Sequence, residues 1–107
     1  MRVLLAMLLS IVVVAPAAAW SDLERMTTAN ALGSVLGSEK ACGLSYKQDA
    51  IERFIEKKVP ASDMEFATNL TMMTTGNRVQ VDEMSPSQKA AHCRQISRVA
   101  KSYGFTD

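Results

Sequence analysis

The sequence predicts an all-α fold, a small four-helix domain with one disulfide. Three observations predict it. Four Ser-x-x-Glu/Gln spacings stand where helices would begin, at Ser21–Glu24, Ser45–Gln48, Ser62–Glu65 and Ser85–Gln88. Gly43, Pro60 and Gly104 stand where three of those helices would end. Cys42 and Cys93 form an even pair, 51 positions apart. A bond between them would close a long loop, worth about 4 kcal/mol on the chain-entropy model.

The first helix is expected from Ser21 to Cys42, with Gly43 as its left-handed stop. Ala29, Gly33, Gly37 and Ala41 recur on it every four residues and leave a stripe without bulk. Two glycines inside a helix cost about 1 kcal/mol each relative to alanine. Close approach of a neighbouring helix would offset that; the rival is a break near Gly37-Ser38 that makes two short helices. In the second helix Ile51, Phe54 and Ile55 share a face, and Val59-Pro60 ends it. In the third, Phe66, Leu70 and Met73 make the apolar stripe until Gly76-Asn77 breaks it, leaving "GNRVQVDEMS" as an ordered loop. The fourth starts at Ser85 with Pro86 in its first turn. Its stripe runs through Ala90 or Cys93, Ile96, Ala100 and Tyr103. The six aromatic side chains are spread along the chain, as a shared core would want.

The N-terminus speaks to compartment. Arg2, an apolar run from Val3 to Val14, Pro16 and Ala17–Ala19 follow the order of a secretory signal peptide. The domain division is therefore residues 1–19 as signal peptide and 20–107 as a single helical domain. The apolar run falls short of the ~20 residues that span a bilayer, and no later segment is apolar for long enough. The expected localisation is periplasmic or secreted, where disulfides form and persist. Without Arg2, Lys and Arg equal Asp and Glu at eleven each. That balance gives no net basic excess for phosphate neutralisation, so no nucleic-acid partner is expected. The "IEKK" and "SRVAK" stretches read as charge-mixed, solvated helix faces.

Only one stretch raises a chemical possibility, the adjacent His92-Cys93. Neighbours on a helix point about 100° apart, so the two do not form a dyad. An oxidised Cys93 has no thiolate to attack with. The pair therefore reads as a crosslink, and no catalytic residue, enzyme activity or cofactor is expected. For a metal, the weak candidates are Asp63, Glu65, Asp82 and Glu83 for hard cations, and Met72, Met73 and His92 for soft ones. Met26, Met64 and Met84 complete the methionines of the domain, and core filling is their expected role. Asp63 and Glu65 are expected to complement a helix dipole. "NLT" at Asn69–Thr71 falls inside the third helix and reads as chance.

The segments "LGSEKACGLSYKQDAIERFIEKKV", "FATNLTMM" and "MSPSQKAAHCRQISRVAKSYGF" together resemble a group of small exported alphaproteobacterial proteins. Members of that group often carry the label "signal recognition particle". The label does not suit an exported chain without a GTPase motif or a net basic surface. The resemblance implies a small exported protein and supplies no catalytic residues. In layout alone, the chain is also similar to the Hde-type periplasmic acid-stress chaperones. The functional expectation is a non-enzymatic protein-interaction or chaperone-like module with an unidentified protein partner. The alternative is a carrier of a metal or small ligand.

Overall fold

A computed structural model describes residues 20–107; the expected signal peptide, residues 1–19, lies outside the described residues. Four helices follow in order: α1 (Asp22–Gly37), α2 (Gln48–Lys58), α3 (Phe66–Asp82) and α4 (Pro86–Ser102). There is no strand among the described residues.

α1 is the element against which both α3 and α4 pack. Ala29, Leu32, Gly33, Val35 and Gly37 are all buried, on more than one side of the helix, as expected of an element enclosed by its neighbours. α3 lies parallel to α1. Arg25 meets Asp63, Gly33 meets Met73, and Gly37 meets Asn77, so both chains advance together. α2 is the crossover that makes the parallel pair possible. The close-approach reading of the glycine stripe holds: a Cβ on Gly33 would stand 2.7 Å from Met73 Cβ, and one on Gly37 would stand 2.6 Å from the Thr74 carbonyl oxygen.

The helix does not reach Cys42. It is continuous through Gly33 and stops at Gly37, and the next six residues form turns rather than a second short helix. Ser38 ends it. This buried hydroxyl donates back to the Ser34 carbonyl at 2.8 Å, a local bond that competes with helix continuation. Gly43 at φ 65° then closes the turn, with Leu44 N–H bonded to the Glu39 carbonyl.

Two of the four expected capping boxes are replaced by other devices. At α2 the flanking Lys47 offers no side-chain cap; its own N–H is held by the Phe105 carbonyl at 2.9 Å, so the C-terminal segment pins the entry instead of Ser45. At α3 the cap is Asp63, one residue beyond Ser62. Its Oδ1 accepts from the N–H groups of Glu65 (3.0 Å) and Phe66 (3.2 Å). Ser21 caps α1 by accepting from Glu24 N–H, and the Ser85–Gln88 box is complete in both directions with Pro86 in the first turn.

Gly76-Asn77 does not break α3. Asn77 donates to the Met73 carbonyl within the helix at 2.7 Å, and Val81, almost wholly buried, fastens the last turn. The buried stripe therefore runs from Phe66 through Leu70, Met73 and Asn77 to Val81, at spacings of three and four. The apparent alternation at Val79 and Val81 is helical: two positions apart on a helix is about 200°, which leaves Val79 outside and Val81 inside.

The core has an aliphatic centre and an aromatic end. Ala29, Leu32, Val35, Ile96 and Ala100 fill the centre. At the end, Phe105 is fully buried among Tyr46, Phe54 and Tyr103, with ring centroids 5.5–5.8 Å from its own. The aromatic residues, spread along the sequence, thus meet in one shared core, as expected. Trp20 stands apart, edge-on to Phe66 at 6.4 Å.

Candidate functional site

The His92-Cys93 neighbourhood is structural. Cys93 is joined to Cys42, with their Cα atoms 5.2 Å apart, which ties the turn after α1 to the middle of α4. His92 turns towards α1, where its Nε2 lies 2.8 Å from Ser38 Oγ. That hydroxyl donates to the Ser34 carbonyl, which leaves its lone pairs free to accept from His92 Nε2. Both members of the pair are therefore committed to the seam between α1 and α4. Ser38, the fully buried partner that makes this so, was not legible in the sequence; its only signal is a serine four residues after Ser34 at a helix end.

Asp63 is the second polar node. Its side chain is only 4% exposed. It accepts from the indole N–H of Trp20, from Arg25 Nε at 2.6 Å, and from the two backbone N–H groups that start α3. Burial pushes its carboxyl up, but the bonds from Arg25, Trp20 and the Glu65 N–H outweigh that and hold it below the usual carboxylate range. Glu65 is exposed and pairs with the same arginine at 3.2 Å. Every lone pair that a cation would need on Asp63 is already directed at a donor. The node is a latch holding the start of α1 to the start of α3.

The remaining metal candidates do not converge on these two. Asp82 and Glu83 stand exposed at the far end of α3. Met73 packs against the core and Met72, on the next position, faces solvent. Among the described residues no three His, Cys, Asp or Glu side chains form a group that could hold a metal ion. Core filling accounts for Met73 but not for Met26, Met64 or Met72, which are exposed. For Met72 the physical reason is that it lies on the side of α3 away from α1, the helix on which α3 mainly packs.

That leaves two surfaces with distinctive chemistry. One is the outer side of α3, where Thr68, Met72, Thr75 and Val79 follow at spacings of four, three and four. Met72 is 64% exposed and Val79 53%, and no charged residue occurs from Phe66 to Asn77. α1 is likewise uncharged from Met26 to Ser38. The other is the outer side of α4, where Arg94, Arg98 and Lys101 are exposed with Ser97 among them. "SRVAK" is not charge-mixed: no Asp or Glu occurs from Ser85 to Thr106. The neutral balance of the whole chain concealed this, and the signal that would have found it is the local count along one helix.

Comparison with protein-family models, with curated proteins and with solved structures gave no match.

Proposed function

We propose that this chain is a small exported module that works by protein interaction, without catalysis, and that the outer side of α3 is its contact surface for apolar client segments. The observation that carries the reading is Met72, 64% exposed within the uncharged stretch from Phe66 to Asn77, with Val79, 53% exposed, further along the same side. Single exposed apolar residues are ordinary, but two on one side of a helix whose first twelve residues carry no charge make the kind of surface that marks interaction sites. Methionine, flexible and polarisable, suits a surface that must accept more than one sequence. Export is supported by the leader-like order of residues 2–19 and by a disulfide, which persists in oxidising compartments.

Reduced insulin, whose freed B chain aggregates, provides the test, followed by light scattering at neutral and acidic pH. The full chain is expected to suppress scattering, and Met72→Glu with Val79→Glu to lose most of that protection while melting as the parent does. No suppression by the parent at either pH would remove the reading.

A further inference from the structure

Four cations, Lys89, Arg94, Arg98 and Lys101, lie on α4, and all eleven acidic residues of the chain lie outside Ser85–Thr106. Among the described residues, none of the four takes part in an ion pair. Arg94, Arg98 and Lys101 stand at spacings of four and three, one line along the helix about 10 Å long. With Ser97 they enclose an open depression of about 440 Å³. The next residue, Ser102, borders a second open groove, and Arg53, Lys57 and Lys58 of α2 line that groove too.

From this arrangement we infer that the outer face of α4 docks on an anionic phospholipid surface, its cations meeting headgroup phosphates without insertion of the helix. The positions flanking the stripe, Ser87, Ala91 and Gln95, are exposed and carry no large apolar or aromatic side chain. A specific protein partner draws its affinity from buried aromatic or aliphatic anchors seated in pockets, and this face offers none. A fluid headgroup layer asks for no such anchor, because its phosphates move to wherever the guanidinium groups stand. Small flanking residues let the stripe come level with that layer. The contact is independent of the α3 surface, which lies on another helix.

The experiment is co-sedimentation of the full chain with two vesicle types, pure phosphatidylcholine and a 3:1 mixture of phosphatidylcholine with phosphatidylglycerol. The phosphatidylcholine arm reads any pull from the apolar leader. Binding is expected to the anionic vesicles above that baseline and to fall steeply between 25 and 300 mM salt. Arg94→Gln, Arg98→Gln and Lys101→Gln together should weaken it on the order of a hundredfold, from the attraction each basic residue gains near an anionic leaflet. Those three side chains are exposed, and helical circular dichroism checks the fold. A charge-matched variant away from both depressions, Lys40→Gln with Lys47→Gln and Arg78→Gln, should lose less than about tenfold. Equal loss in both variants would reduce the effect to net charge and overturn the assignment. So would anionic vesicles that bind no better than neutral ones, or release of the protein from them by poly-L-glutamate or duplex DNA at equal charge.

Discussion

Where α1 meets α3, the contact is made by backbone and small side chains, Gly33 and Gly37 lying against Met73, Thr74 and Asn77. Where α2 meets the end of α4, it is made by rings, Phe54 and Tyr103 with centroids 4.8 Å apart and Phe105 buried beneath them. The first contact has no atoms to lose and no room to gain any. The second holds its stability in large side chains whose loss leaves cavities. The helices therefore answer opposite kinds of substitution. Charge is divided too: the α1–α3 pair is neutral over most of its length, and α4 is cationic throughout.

The largest effect that would sharpen this contrast is truncation at the aromatic end. Phe105→Ala should destabilise the fold by about 4 kcal/mol, within the range for buried phenylalanines, and chemical denaturation would read it. A loss below about 1 kcal/mol would mean the ring cluster is loosely packed. Next comes the crosslink between the two regions. Replacing Cys42 and Cys93 with serine should cost about 4 kcal/mol at most, because a closed loop of this length is released in the unfolded chain. Unchanged stability would show that the seam between α1 and α4 holds without it. At the close contact, Gly33→Ala should cost about 2 kcal/mol despite the better helix propensity of alanine, since its methyl group meets Met73 Cβ.

The smallest effects concern pH, and the two regions differ in sign. Asp63, at the α1–α3 latch, has a lowered folded pKa, so its contribution is present above its unfolded value near ~4 and lost as pH falls through the folded one. Asp63→Asn should flatten the acid limb of the stability curve below about pH 4. Tyr46, beside the aromatic cluster, donates to the Val35 carbonyl at 2.8 Å, and burial, assisted by the charge of Glu39, pushes its phenol up to about 12. Its contribution is full below the unfolded value of ~10 and is lost as pH rises from there through the folded value. Tyr46→Phe should remove that alkaline limb. Thermal melts across pH 2–12 would read both, and limbs unmoved by either variant would place the titrating groups elsewhere.

Much of the fold was legible because it is written in local signals. Ser21, Ser85 and Gly104 mark helix ends through bonds to residues close in sequence, Pro60 through the backbone restriction it puts on Val59, and those ends stand where expected. The stripe Ala29-Gly33-Gly37 was legible as an approach site because glycine inside a helix needs a reason. What was not legible depends on distant partners. No side chain caps α2, and its entry is fixed by the Phe105 carbonyl, far along the chain, which accepts from the Lys47 N–H. Ser38 ends α1 early within a seam that includes His92 on α4. α3 passes Gly76 because buried Val81 rewards one more turn. The candidate site shows the same division: the His92-Cys93 pair could be assigned to a crosslink from redox chemistry alone. The cationic character of α4 stood in its local charge count, whereas which sides of α3 and α4 are left open needed the structure, since only burial tells that.

Close packing of α1 on α3 with the far side of α3 left open is tested most directly by one substitution made on each side. Gly37→Ala puts a methyl group against the Thr74 carbonyl, whereas Gly76→Ala puts one where no atom lies within 4 Å. Urea denaturation should show the midpoint falling for Gly37→Ala and rising for Gly76→Ala, the latter by about 1 kcal/mol of added stability. A rise in both would mean the helices stand further apart than described, and a fall in both would mean the outer side of α3 is already covered.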